Sequence, residues 1–291
     1  MNKILSILSL IGLFFIAGCS KDPVVLNPAD QLTKDIQLID DYLASKNITA
    51  VKDPSGLRYL VTREGTGAKP ALYSNVNVNY DGKFLESGQS FGKSTSAYTQ
   101  GLYYNLIEGW RIALPQVKKG SKVTLYIPSG LAYGANGSLN GTIASNTNII
   151  FDIDLLDDAD QLAKDVATID RYLDSLKIIA VKDPSGLRYT VDALGAGAKP
   201  TLGKSVYFTY SGKLLKTGGV FDQSSLVVSA YLGLESRLSP GLIIGFQQIT
   251  RGSTATFYIP SSLGFGLNPV SSLNVPANSN LIYTIKFTDS N

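Results

Sequence analysis

The chain has 291 residues, enough for two ordinary domains, with a formal net charge of +3 and no basic run longer than Lys118-Lys119, which excludes a nucleic-acid footprint. It has no histidine and a single cysteine, Cys19. That excludes Ser-His-Asp and Cys-His nucleophilic centres, the usual zinc and haem sites and an intrachain disulfide; no cofactor is implied, and any activity must work by shape and hydrogen bonding.

Residues 1–18 read as a signal peptide. Met1-Asn2-Lys3 is a short positive start, and the apolar run from Ile4 to Ile16 is well short of the ~20 residues a spanning helix needs. Ala17-Gly18-Cys19 closes it. This ending resembles a bacterial lipoprotein signal, which implies cleavage before Cys19, its lipidation, and a membrane hold by several acyl chains. An ordinary secretory leader with an incidental cysteine is the alternative. Residues 19–28 read as a tether, polar at first and stiffened by Pro23 and Pro28. Ser20-Lys21-Asp22 resembles the surface-export signals of some Bacteroidetes lipoproteins. The implied location is the bacterial cell envelope, at the outer membrane, with periplasmic and outward faces both open.

A duplication sets the rest. Ala50 to Tyr59 reads AVKDPSGLRY, and Ala180 to Tyr189 repeats the same letters 130 residues on. Gly65-Thr-Gly-Ala-Lys-Pro70 returns as Gly195-Ala-Gly-Ala-Lys-Pro200, and Tyr126-Ile-Pro128 as Tyr258-Ile-Pro260. A period this long is a duplicated domain rather than a solenoid repeat, which predicts domain 1 over residues 29–157 and domain 2 over 158–291. Each copy opens with an amphipathic helix. Asn27 can cap the first, Pro28 suits its first turn and Asp30 complements its dipole. Leu32, Ile36, Ile39, Tyr42 and Leu43 recur at helical spacing, as do Leu162, Val166, Ile169, Tyr172 and Leu173. Such a stripe packs on its own or the neighbouring domain; a dimerisation helix is the alternative, and nothing in these residues sets an oligomeric state.

Period-two alternation then predicts strands at Val76-Val78-Tyr80, Val123-Leu125-Ile127 and Ile149 to Leu155, with counterparts at Val206-Phe208-Tyr210, Phe257-Ile259 and Leu281 to Phe287. One short helical stretch per copy is expected, Gly109 to Val117 and Gly245 to Ile249. The fold class is therefore α+β, each domain an antiparallel sheet wrapped on a short helix. Asp152, Asp154, Asp157, Asp158 and Asp160 lack the pattern of a calcium loop and read as strand-edge charge and helix capping. Ser90-Phe-Gly-Lys93 lacks the companion motifs of serine acyl-enzymes.

The remaining motifs carry the chemistry. Tyr80-Asp-Gly-Lys, Phe91, Leu106-Ile107-Glu-Gly109-Trp110, Tyr126-Ile-Pro128 through Tyr133-Gly134, and Ile143 to Phe151 follow one another in the first copy. The second copy gives Tyr210-Ser-Gly, Phe221-Asp222, Leu242-Ile243-Ile244-Gly245-Phe246, Tyr258-Ile-Pro260, Phe265-Gly266, Val275-Pro276 and Tyr283. In order and spacing this resembles the FKBP-type peptidyl-prolyl cis-trans isomerases, twice over, from about residue 57 onward. The resemblance implies a tandem FKBP-like chain acting on proline-containing segments of exported proteins as a folding helper.

It also implies the site. Domain 1 would line its hollow with Tyr80, Phe91, Leu106, Ile107, Trp110, Tyr133, Ile143 and Phe151. Trp110 would lie under the proline ring, while the Ile107 backbone N–H and the Tyr133 hydroxyl would serve substrate carbonyls. Domain 2 would use Tyr210, Phe221, Asp222, Leu242, Ile243, Phe246, Phe265, Val275 and Tyr283. Neither set is complete. The family's Asp after the phenylalanine is Gly92 in domain 1 but is kept as Asp222; its tyrosine is kept as Tyr133 but becomes Phe265; its tryptophan becomes Phe246. A lost hydroxyl leaves a substrate group unpaired, so the resemblance implies reduced activity, with domain 1 ahead. The alternative is a non-catalytic module that captures proline-containing segments or an envelope partner.

Overall fold

Helix formation starts where the capping residues stand. In the computed structural model, which describes residues 27–71, 74–103, 105–233 and 236–291, the Asn27 side chain accepts the backbone N–H groups of Ala29 and Asp30, and α1 runs over Pro28–Ser45. The leader, Cys19 and nearly all of the tether lie outside the described residues. Domain 1 continues with β1 (Val51–Lys52), β2 (Arg58–Arg63), β3 (Asn75–Phe84), β4 (Ser90–Lys93), β5 (Tyr98–Gly101), α2 (Glu108–Ala113), β6 (Lys122–Ile127) and β7 (Ile149–Leu155). Domain 2 has α3 (Ala159–Ser175), β8 (Val181–Lys182), β9 (Arg188–Ala193), β10 (Lys204–Leu214), β11 (Val220–Leu232), α4 (Pro240–Gln248), β12 (Thr254–Ile259) and β13 (Leu281–Ser290).

Every strand pairing is antiparallel. The first sheet runs β1-β2-β6-β7-β3-β4 with β5 also on β3, and the second runs β11-β10-β13-β12-β9-β8. The strands alternate because successive side chains point to opposite faces, one fully covered and one covered only where the outer helix lies. On the concave face, Leu125, Ile127, Ile149 and Phe151 join Trp110, Ala113 and Leu114 around α2. On the convex face, Tyr126 and Ile150 meet Ile39 and Leu43 of α1. The helix stripe therefore packs on its own domain, and α3 does the same through Ile169, Leu173, Tyr258 and Ile282.

The repeated decapeptide is the fastener between helix and sheet. Leu57 is fully buried, and Arg58, on β2, reaches back to Asp40 of α1 with its Nε 2.8 Å from the carboxylate. Arg188 and Asp170 repeat the pair at the same distance. The Arg58 hydrogen bond, aided by Lys52 and opposed by burial, holds the Asp40 carboxyl below its usual range; Arg188 does the same to Asp170. A lowered folded pKa adds stability that is complete above the unfolded value of ~3.9 and lost as pH falls through the folded one. Denaturant titrations from about pH 6 down to about pH 2 should therefore lose this contribution only below about pH 4, and Asp40→Asn with Asp170→Asn should flatten that acid limb.

A second fastener is invisible in the helical pattern. Asp35, on α1 and fully buried, accepts both the backbone N–H and the hydroxyl of Ser129, 2.9 and 2.6 Å away; Asn148 accepts the same N–H. Asp165 and Ser261 form the same pair in domain 2. This ties the outer helix to the turn after the third long strand, the turn that leads to Tyr133. Four of the five acidic residues around the domain junction hold partners, and Asp160 lies in the first turn of α3. Asp152 takes Lys83 and Thr124, Asp154 takes Arg63 and Lys122, Asp157 accepts the N–H of Ala159, and Asp158 pairs with Lys119.

The two short helices depart from expectation. In domain 1 the helix spans Glu108–Ala113 and passes into a 3-10 turn at Leu114–Gln116. In domain 2 it starts at Pro240 rather than Gly245 and ends at Gln248. Extended Ser239 followed by proline at the first helical position starts α4 more than a turn earlier. The two starts are equivalent, since Glu108 and Pro240 each precede a glycine set against the matching isoleucine, Ile127 or Ile259.

Candidate functional site

The concave face of the first sheet and the loops above it enclose a cavity of about 960 Å³. Its base is aromatic. Trp110 points from α2 and is only 3% exposed, with Phe151 of β7 edge-on at 5.1 Å and Tyr80 of β3 edge-on at 5.7 Å. Phe91 of β4 stands perpendicular to Phe151 at 5.6 Å. Edge-to-face contacts of this kind fix each ring against its neighbour's negative face. The Trp110 Nε1 is buried and has no acceptor among the described residues, so packing alone holds this ring.

All eight side chains predicted for domain 1 line this one cavity: Leu106, Ile107, Tyr133 and Ile143 join the four rings. Ile107 is the residue immediately before α2. Its carbonyl caps the helix by accepting Trp110 and Arg111, while its own N–H stands ahead of the helical ladder. Ile143 enters from the closing loop. That loop is held without prolines: Ser138 donates its N–H to the Ile143 carbonyl and accepts the Ile143 N–H on its hydroxyl. Gly137, at φ 67°, permits the fold-back, because a Cβ there would lie 2.3 Å from the Ile143 oxygen.

Sequence reasoning missed Tyr98, Arg111 and Leu139. Tyr98, on the edge strand β5, meets Tyr80 edge-on at 6.0 Å and forms one wall. Nothing in its Ser/Thr-rich surroundings signalled this, since the wall is made by pairing β5 with β3. Leu139 is fully exposed at the loop tip on the rim. Arg111 is held by Glu108 at 2.8 Å. Burial pushes the Tyr98 hydroxyl up to about 12 and also raises that of Tyr133, each helped by Tyr80. Both hydroxyls are neutral donors at physiological pH. The cavity thus offers an apolar floor and neutral hydroxyl donors, with Glu108 and Arg111 in its lining paired to each other.

Domain 2 brings its nine residues together differently. Leu242, Ile243, Phe246, Val275 and Tyr283 are buried members of the main core, with Tyr210, Phe221 and Phe265 packed against them. Both inner helices start at the same place: Gly109 and Gly241 each stand against the equivalent isoleucine, Ile127 and Ile259, and the Ile107 and Ser239 carbonyls each accept the N–H groups three and four residues on. The counterparts of Leu106, Ile107 and Trp110 are therefore Leu238, Ser239 and Leu242, and Phe246 stands where domain 1 has Leu114, four residues from the expected place. Gly245 resembles the motif glycine in sequence, but Gly241 occupies its position. Leu242 is buried as Trp110 is, at 5% and 3% exposed. Asp222 accepts the Tyr210 hydroxyl at 2.8 Å, which with burial pushes that hydroxyl up to about 12.

A sequence model described as FKBP-type peptidyl-prolyl cis-trans isomerase matches residues 67–156 and again 197–288, which together make up more than half of the chain and take in both inner helices, β3 to β7, β10 to β12 and most of β13. The chain belongs to the FKBP-type isomerase family. Among similar curated proteins is the FKBP-type peptidyl-prolyl cis-trans isomerase FkpA of Aeromonas hydrophila, 36% identical over 121 residues, covering 40% of this chain and 44% of that one. The outer membrane protein MIP of Legionella longbeachae is 36% identical over 108 residues, 35% and 44% of the two chains. A solved peptidyl-prolyl cis-trans isomerase from Pseudomonas syringae is 28% identical, with a TM-score of 0.40, over 46% of this chain and 98% of that one. The chain spans about half the length of the curated relatives it matches. Both FKBP units are thus mixed helix and antiparallel sheet, as the sequence led one to expect.

Proposed function

We propose that domain 1 is a working peptidyl-prolyl isomerase and that domain 2 is not. The observation that carries this reading is the aromatic cavity over Trp110 and Tyr133, whose places in domain 2 are held by Leu242 and Phe265. An X-Pro amide rotates over a barrier of ~18–20 kcal/mol that arises from resonance, and no bond is made or broken. A pocket speeds the rotation by binding the twisted amide better than either planar form and by removing water from it. Trp110 would receive the proline ring, and the Ile107 N–H and the Tyr133 hydroxyl would hold the flanking carbonyls. The proposed units are residues 29–157 and 158–291, behind a signal peptide at 1–18 and a tether at 19–28.

The proposed clients are proline-containing segments of exported proteins, met at the bacterial envelope by a chain anchored through lipidated Cys19. The lipoprotein-like leader supports this placement, as does the name of the Legionella longbeachae relative. The test is prolyl isomerisation of a reporter peptide by the full chain. Acceleration that disappears on blocking the cavity supports the reading; a folded chain that binds the peptide without accelerating exchange would leave a capture module.

One absence supports the second reading in part, and it is testable. Gly92 stands where domain 2 has Asp222, and a Cβ there would meet nothing within 4 Å. Gly92 pairs with Gly82 as Asp222 pairs with Gly212, so Gly92→Asp should place a carboxylate beside Tyr80 as Asp222 stands beside Tyr210. A charge-assisted bond of about 1.5–3 kcal/mol that orients this ring should raise kcat/KM by roughly 3- to 10-fold if about half of it is expressed in the transition state. Steady-state kinetics on the variant would show it.

A further inference from the structure

Domain 2 holds the wall of the domain 1 cavity. The edge strand β5 is four residues long and pairs with β3 on one side. On its other side stands Asn268, from the loop after β12. The Thr99 N–H donates to the Asn268 Oδ1 at 3.0 Å, and the Asn268 Nδ2 donates to the Thr99 carbonyl at 2.7 Å. One side-chain amide thus gives β5 both bonds that a neighbouring strand would supply. The Thr99 hydroxyl accepts the Leu267 N–H at 2.7 Å and donates to Asn77 at 2.6 Å. Nearby, the Asn75 Nδ2 donates to the carbonyls of Ser262 and Gly264.

The contact is one-way. Tyr133-Gly-Ala-Asn136 is the domain 1 counterpart of Phe265-Gly-Leu-Asn268, and Asn136 is exposed. On the receiving side, Asn75, Asn77 and Thr99 correspond to Ser205, Tyr207 and Ser229, and Ser229 is exposed on the uninterrupted β11. The receiving residues occur once, so the joint seats domain 2 on domain 1 and does not repeat. It is also tight: a Cβ on Gly266, which holds a φ of 58°, would lie 2.2 Å from the Thr99 hydroxyl, whereas Gly134 at φ 61° has open space.

Tyr98, the residue before Thr99, is the cavity wall beside Tyr80. We infer that Thr99, clasped by Asn268, is a positioning residue that sets Tyr98 for substrate, so that domain 2 tunes the domain 1 cavity through its own rim loop. This rests on the isomerase reading of that cavity. The loop that forms the open rim in domain 1 is, in domain 2, committed to the joint.

The test uses the full chain with Asn268→Ala, Thr99→Val and the conservative Thr99→Ser, all checked for folding by circular dichroism. Amide hydrogen exchange at Tyr98 to Gly101 should quicken in Asn268→Ala and Thr99→Val. KM for the reporter peptide should rise roughly 3- to 10-fold in both with kcat within about twofold, the scale of one or two lost neutral hydrogen bonds, while Thr99→Ser retains the parent values. Faster exchange with unchanged KM would overturn the inference. If Asn268→Ala does not fold, Gly266→Ala wedges the joint from the other side and is read the same way. If the parent chain binds the peptide without turning it over, the isomerase reading fails alone, and the peptide Kd followed by Trp110 fluorescence takes the place of KM. A parent chain that neither binds nor turns over the peptide overturns both.

Discussion

Trp110→Ala is expected to lower kcat/KM for prolyl isomerisation by roughly 30- to 150-fold, corresponding to about 2–3 kcal/mol of lost contact with the proline ring. The side chain is the floor of the cavity, boxed by Tyr80 and Phe151, and no neighbouring side chain is placed to replace it. The substitution also opens a hole in the core that costs about 3–5 kcal/mol of stability, so activity must be read where circular dichroism shows domain 1 folded. Trp110→Phe separates the two effects. Packing alone holds the indole, so phenylalanine sacrifices little hydrogen bonding. A variant retaining most of the stability but losing several-fold in kcat/KM would show that ring area at the floor sets the rate. A Trp110→Ala chain that remains folded and fully active would remove the cavity from the mechanism.

Phe246→Ala should give the opposite pattern. Phe246 is fully buried, 4.8 Å from Phe208, 5.5 Å from Phe287 and 6.3 Å from Phe257 in ring-centre distance. Removing it should cost about 3–5 kcal/mol, read as a shift in the domain 2 transition during denaturation. Trp110 fluorescence follows domain 1 separately, because it is the chain's one tryptophan. While domain 2 remains folded, isomerase kcat/KM should change less than about threefold, since Phe246 belongs to the domain 2 core and does not line the domain 1 cavity. A loss of turnover comparable to that of Trp110→Ala would mean that domain 2 also catalyses.

This contrast shows where reading the residues succeeds. The eight domain 1 positions were legible because five motifs occur in order, and the structure brings all of them to one cavity. The same motifs in domain 2 were legible except at the inner helix, where Gly245 resembles the motif glycine but Gly241 occupies its place. The real change there is Leu242 for Trp110, and Phe246 packs in the core where domain 1 has Leu114. Ser239-Pro240, a recognisable helix start, is the local signal that sets the right register.

Local pattern was enough for the duplication, for the strand alternation and for the stripes of α1 and α3, because each expresses contacts repeated at short, regular spacing. It was also enough to show that no histidine- or cysteine-based chemistry is available. Tertiary structure alone decided that Leu242 and not Phe246 takes the place of Trp110, how Asp35 clasps Ser129 94 positions away, and how Asn268 completes an edge strand 169 positions earlier. Those contacts join single polar groups across the fold. A lone Asp on a helix or a lone Asn in a loop carries no periodic signal, so its partner is chosen only when the sheets close and each buried donor must find an acceptor.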